Sequence, residues 1–507
     1  MTLERKNSLL KKFIWNSLVV FTLLNSGGAL NYLFQIVLGK TLSPDQYGSF
    51  NSLLSMIVLI SAPITIMHVV FSRFIATIST HGLQQIKTLL IKTSVAIFSA
   101  IGIIILIGLL TIPWLKNFLH VKTTLPIILM LLAASSLILQ QVLVATCEGM
   151  HRFSELGIIS SGMALTRFIC ALIFVVVFGW GVEGGLLAVA CAGAAAIGYG
   201  TYQLRDVFRS QATDLPPETF KKMARYSVPA FLMTMMVMLL VNIDIILVRH
   251  YCSPDQAGYY ATAAILGRIA FLLPATLLMV LFPSVAKATT TGDRDEHYLW
   301  VSLGLTTILS GVIFLALFFW GKTIIHLFYD AQYYEAAPIL RIVAAAMGLL
   351  AISHVIFSYN LARSEFGFLW PLVGGVILML FLVFLYHDTA ETIAWILLLS
   401  TGTIFLGTVL NRVYLFFSKP IVSNYLFLNI FCSFSIWNTG SIILRLAYLS
   451  IYYSALHKRT NSKAKPHKFN NAFKSEAQEI ILTFFPSSSK QRFLSTHEFP
   501  ERIFQFL

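Results

Sequence analysis

The chain has 507 residues, of which 57% are hydrophobic and only 11% charged. Soluble domains carry about 25% charged residues, so water cannot cover this surface throughout and lipid must cover much of it. Lys and Arg outnumber Asp and Glu by 36 to 22. No basic run falls in a soluble domain, which argues against nucleic acid and for anionic lipid headgroups as the partner of that charge.

A spanning helix needs about 20 mostly apolar residues. The first such stretch, 13–38, is too long for a cleavable leader and no small-residue cleavage site follows it, so it is read as the first membrane helix. Five more spans are predicted at 49–71, 93–112, 125–147, 157–178 and 182–204. A polar loop over 205–225 separates them from six others, at 226–250, 258–286, 299–320, 336–360, 366–386 and 390–411. The breaks carry turn residues: Ser43-Pro44-Asp45, Pro216-Pro217 and Thr291-Gly292-Asp293. Beyond them, 421–456 is expected to add two spans, broken near Asn438-Thr439-Gly440, and 457–507 reads as a basic, weakly structured cytoplasmic tail. The expected plan is all-α: an N-terminal lobe over 1–204, the loop over 205–225 and a C-terminal lobe over 226–420, each lobe with six helices.

Basic loop residues set the expected orientation. Arg5, Lys11, Lys12, Lys87, Arg152, Arg209, Lys221, Arg363 and Arg412 fall on one side, and Lys40, Lys116, Lys122, Arg249 and Lys322 on the other. The richer side is cytoplasmic by the positive-inside rule, and the N-terminus lies there.

The chain repeats itself. Ser43-Pro44-Asp45-Gln46-Tyr47-Gly48 recurs 210 residues later as Ser253-Pro254-Asp255-Gln256-Ala257-Gly258. Each copy joins two apolar spans. An even number of spans lies between the copies, so both face the same way, as in parallel repeats related by an axis along the membrane normal. Two like-oriented six-helix lobes with a junction between them is a transporter plan.

Chemistry is sparse. No GxxxxGK[ST] loop, HExxH pair or calcium loop occurs. Cys147, Cys170, Cys191, Cys252 and Cys432 form no CxxC pair and read as small apolar residues, with no disulfide framework or zinc site. Loops on the less basic side are short, which counts against an enzyme, and no cofactor is expected.

Ionisable residues inside spans mark cavities or partners, because each costs about 3 kcal/mol or more at mid-helix. Arg167 and Arg268 each sit about ten residues, roughly 15 Å, into a span, one in each lobe. Together they could grip a phosphate or pyrophosphate with planar donor forks. Alternatively, Arg268 pairs with Asp244 and Arg167 snorkels or bonds a carbonyl. Asp244 is also the candidate for coupling to H+ or Na+. Arg341 near the end of the tenth span and Arg73 closing the second complete the cationic set. Asn31 and Gln35, one helical turn apart, either line the cavity against sugar hydroxyls or act as interhelical glue. His68 and His354 read as helix–helix contacts. Ala188, Ala192, Ala196 and Gly200 make a smooth packing ridge, and Pro63, Pro229 and Pro274 are expected to kink their helices.

Several stretches resemble the polysaccharide biosynthesis (oligosaccharide flippase) family of the multidrug/oligosaccharidyl-lipid/polysaccharide exporter superfamily. They are Leu30-Asn31-Tyr32-Leu33-Phe34-Gln35, then Leu42-Ser43-Pro44 with Tyr47-Gly48, and Leu273-Pro274-Ala275-Thr276 before Leu281-Phe282-Pro283-Ser284. The run from Ala337 to Ala362, with Leu340-Arg341, fits too, and the resemblance covers about 10–415. It implies a V-shaped two-lobe bundle of 12 to 14 helices in the bacterial cytoplasmic membrane. It also implies flipping of undecaprenyl-pyrophosphate-linked sugars, alongside a glycan polymerase and a chain-length regulator. Related lipid II flippases carry several arginines in the first two spans; here only Arg73 qualifies, which favours O-antigen, capsule or exopolysaccharide units. A multidrug cation antiporter would want an acidic cavity and ranks below; a membrane glycan polymerase or ligase is the third reading.

Overall fold

The computed structural model describes residues 26–78, 83–150, 152–210, 218–275, 296–363 and 365–418. All of these fall in one compact unit, Met1–Ser418. The spans expected over 421–456 and the tail over 457–507 lie outside the described residues. Among the described residues the regular structure is entirely helical, as hydrocarbon demands: lipid offers no hydrogen-bond partner, and a helix satisfies its own peptide groups.

The helices are α1 (26–41), α2 (Pro44–Ile78), α3 (Leu83–Leu110), the short α4 (Ile112–Leu119), α5 (Leu125–Gly149), α6 (Phe153–Ala171), α7 (Gly181–Gln203) and α8 (Arg205–Arg209). A π-helical turn, Leu172–Val177, extends α6. Then come α9 (Glu218–Tyr251), α10 (Pro254–Gly267), α11 (269–275), α12 (Glu296–Phe328), α13 (Ala336–Ala362), α14 (Leu369–Leu385) and α15 (Ala390–Ser418). Among the described residues, ten helical stretches are long and apolar enough to cross a membrane, and α14 is a shorter apolar helix. Each span predicted between 13 and 411 overlaps helix where its residues are described. In the first half α2 packs on α5, and α7 on α5 and α6; in the second, α13 packs on α10, α12 and α15.

Two expectations need correction. The loop predicted over 205–225 is helical at Arg205–Arg209 and from Glu218 onward, so polar residues there form α8 and the first turns of α9. Ser43-Pro44-Asp45 and its repeat were expected as turns, yet Pro44 and Pro254 open helices. Ser253 caps α10 by accepting from the Gln256 N–H, and Ser43 does the same for Gln46. Pro at the first helical position costs nothing, since its missing N–H would be unpaired there anyway. The spans predicted to start at 49 and 258 therefore begin several residues earlier.

Pro274 illustrates how a break is healed. A proline removes the hydrogen bond to the carbonyl four residues back, here that of Ala270, and Ser310 Oγ on α12 donates to that oxygen at 2.9 Å. The alanine ridge of α7 also packs as expected. Ala188, Ala192, Ala196 and Gly200 are buried, and a Cβ on neighbouring Gly193 would strike Ser136 of α5.

The halves meet at the end of the bundle that carries the repeated motif. The first turns of α2 and α10 touch backbone to backbone. A Cβ at Gly48 would lie 2.7 Å from Gly258 N, and one at Gly258 would overlap the Pro44 carbonyl. The glycine retained in both copies is thus the contact point of the two repeats. Around it, Arg249, 3% exposed, donates to Asp45 Oδ1 at 2.7 Å. Tyr47 and Tyr329 share a 3.1 Å hydroxyl contact, Tyr333 donates to Leu42 O at 3.0 Å and Ser52 to Ile245 O at 3.4 Å. At the opposite end His68 contacts Glu148 at 2.5 Å within the first lobe, as a helix–helix pair. Arg152 there grips Asp206, and that hydrogen bond holds the Asp206 carboxyl below its usual range.

Candidate functional site

Arg268 sits where α10 stops. Its backbone ends one helix and starts the next, accepting from the Phe271 and Leu272 N–H groups. This places its side chain on the face of α9, where Nη2 donates to Asp244 Oδ1 at 2.9 Å. Asp244 is fully buried and Arg268 11% exposed. The second carboxylate oxygen of Asp244 accepts from Tyr260 OH at 3.1 Å. The pairing of Arg268 with Asp244, one of the two readings open from sequence, is therefore present. It leaves Arg268 Nε buried without a partner, and the charge lies within electrostatic reach of the Tyr32 hydroxyl on α1 of the other lobe.

Arg167 lies on α6. Its Nη1 donates to Asn31 Oδ1 of α1 at 3.2 Å, and its guanidinium stands 5.8 Å from the Phe34 ring. It bonds a side chain rather than the carbonyl considered above. Its Nε is also buried without a partner. An unmade hydrogen bond of this kind costs about 1–3 kcal/mol, and each mid-depth arginine carries one such buried N–H.

The other predicted residues separate. Gln35 is glue: it donates to Asn51 Oδ1 at 3.3 Å and accepts from Tyr47 OH at 3.1 Å. Asn31 also joins two helices, accepting from Arg167 Nη1 across α1 and α6. Arg341 is exposed on α13, 5.1 Å over the Phe318 ring, with no contact described to the other arginines. Arg73 lies within α2, and its side chain is outside the described residues. His354 is half-buried beside Phe271, with its Nδ1 buried and without a partner, so the expected interhelical hydrogen bond is not formed at that atom. Among the described residues no group of His, Cys, Asp and Glu could hold a metal ion.

The repeat makes the asymmetry of the site visible. At the 210-residue offset, Asp244, Tyr260 and Arg268 correspond to Phe34, Phe50 and Val58. Phe34 and Phe50 pack edge to face at 5.8 Å in one lobe where the other has the Asp244–Tyr260 hydrogen bond. Conversely Gln35, Tyr47 and Asn51 correspond to Ile245, Ala257 and Ala261. Each lobe has kept the packing geometry and put its polar groups at different positions. Tyr260, Tyr32 and Arg249 were missed by sequence reasoning. The mismatch of Arg249 with Gly39 in the first repeat was the available signal for Arg249.

A family model described as polysaccharide biosynthesis protein matches residues 9–289. Nothing among the curated proteins matches. Among solved structures, an inward-facing conformation of a multidrug resistance MATE family transporter of the MOP superfamily superposes with a TM-score of 0.68 at 12% identity, covering 78% of this chain and 96% of that one. An outward-facing conformation of a MATE family transporter gives 0.55 at 12% identity, with 78% and 93% covered. The lipid II flippase MurJ in an inward closed conformation gives 0.56 at 14% identity, with 79% and 87% covered. At these identities the likeness is one of fold.

Proposed function

From the premise that this chain belongs to the polysaccharide biosynthesis protein family, we propose that it flips a polyprenyl-pyrophosphate-linked oligosaccharide across the bacterial cytoplasmic membrane and performs no chemical step on it. The substrate class is an O-antigen, capsule or exopolysaccharide repeat unit. The observation that carries the reading is the pair of mid-depth arginines, one per lobe, each with a buried donor unused. A pyrophosphate offers acceptors to both. Asp244 and Arg268 cancel each other's charge in their ion pair, so the net positive charge of the path is that of Arg167. Sugar and pyrophosphate would travel between lobes 1–204 and 226–420 while the polyprenyl tail stays in lipid.

The basic loops support placing the repeated-motif end away from the cytoplasm. The polar contacts gathered at that end, and the higher TM-score to the inward-facing relative, support an arrangement open toward the cytoplasm. A glycan polymerase and a chain-length regulator would act on the product. Asp244 remains the candidate for H+ or Na+ coupling. The second reading, a multidrug cation antiporter, is favoured by the 0.68 similarity and opposed by the pairing of Asp244.

Deletion of the gene tests this. Lipid-linked repeat units should accumulate on the cytoplasmic leaflet, with surface glycan lost. Drug sensitivity with normal glycan would support the antiporter, and single units accumulating on the outer leaflet would support a polymerase.

A further inference from the structure

The repeated-motif end carries a second cluster of positive charge, far from the mid-depth arginines. Helix α4 is amphipathic and joins α3 to α5 there. Leu115 and Leu119 are buried, while Trp114 is exposed and stacks on Phe118 at 4.8 Å. A short helix with one apolar face and an exposed Trp suits the membrane–water interface. The chain then turns through His120, whose φ of 51° is left-handed, and the Val121 N–H returns to Lys116 O at 3.0 Å. This turn sets Lys116, Asn117, His120 and Lys122 around an open cleft of about 470 Å³.

A helix C-terminus would ordinarily repel an anion. Here its last carbonyls are already occupied from the other lobe: His250 Nδ1 contacts Phe118 O at 2.9 Å, and Arg249 donates to Leu119 O at 2.9 Å and His120 O at 3.1 Å. Of the nearby acids, Asp45 is paired with Arg249, while Glu183 keeps its charge and, among the described contacts, accepts only from the neutral Thr123 Oγ1 at 3.4 Å. No ion pair is described for Lys116 or Lys122, and both line the cleft.

We propose that this cleft binds a lipid-borne phosphate at the membrane surface. The chemistry is shared by two sources, the headgroup of an anionic phospholipid and the pyrophosphate of a polyprenyl carrier. The proposal takes from the preceding section only that this end meets the membrane interface; it does not require transport.

The test uses the full-length protein in phosphatidylcholine nanodiscs, plain or doped with phosphatidylglycerol or with polyprenyl diphosphate. Hydrogen–deuterium exchange of residues 112–124 is the readout, which keeps binding at Arg167 or Arg268 out of the signal. Doping should protect this segment. In Lys116→Ala/Lys122→Ala the dopant needed for half-protection should rise roughly 30-fold, from two basic side chains near an anionic surface, and Lys116→Arg/Lys122→Arg should restore it. Protection by phosphatidylglycerol alone assigns the site to ordinary headgroups; protection by polyprenyl diphosphate alone assigns it to the carrier. No protection by either, or equal protection of the alanine variant, overturns the proposal. A protein that binds here yet fails to flip substrate would sink the transport reading and leave this one standing.

Discussion

Arg268→Ala should lower the thermal midpoint sharply and abolish transport, while Arg268→Ala combined with Asp244→Ala should recover much of the stability and none of the transport. Removing Arg268 alone leaves a fully buried carboxylate with only Tyr260 as a described side-chain donor. Breaking one side of such a pair costs about 3–5 kcal/mol, whereas replacing both partners with apolar groups is often close to neutral. Stability and function should therefore part company in the double variant. Thermal unfolding in detergent and surface glycan in cells give the two readouts. A double variant with wild-type glycan would mean that the pair only locks α9 to α10.

The second large effect is expected at the glycine contact. Gly258→Val forces side-chain carbon into the Pro44 carbonyl, and backbone cannot retreat as a flexible side chain could. Overpacking of this kind costs about 1–3 kcal/mol, and here it falls on one arrangement of the lobes. The variant should shift the population toward an opened motif end. Spin labels at exposed Lys40 and Asp330 should report a longer distance. Gly102→Val, where an added Cβ meets nothing within 4 Å, is the control and should leave the distance unchanged. An unchanged distance and melting temperature in Gly258→Val would show that the two repeats do not close against each other there.

Much of the fold was legible because the bilayer leaves little choice. Apolar stretches of spanning length become helices, and each of the twelve spans expected before residue 412 overlaps helix where its residues are described. The repeat was legible too, though the local conformation of its motif was misjudged. Pro-Asp looks like a turn in sequence, and only the N-cap of Ser253 shows it opening a helix. Arg268 and Asp244 were identifiable as costly residues in the membrane, but choosing between cavity and partner required α9 and α10 to be placed. Arg249 was less readable. It counted as one more loop charge, whereas its guanidinium crosses between lobes to carbonyls some 130 residues away in sequence. No periodicity marks such a contact. The Tyr47–Tyr329 pair, 282 residues apart, was hidden for the same reason.

Flipping of a fluorescent polyprenyl-pyrophosphoryl disaccharide in proteoliposomes, read by quenching from outside, tests the cationic path most directly. The wild-type chain should expose substrate from the inner leaflet. Arg167→Ala should slow this about 10- to 100-fold, as expected for lost hydrogen bonds to a charged group, and Arg167→Ala with Arg268→Ala and Asp244→Ala should reduce it to background. Wild-type rates in the triple variant, at equal reconstituted amounts, would contradict the assignment of these arginines to the substrate.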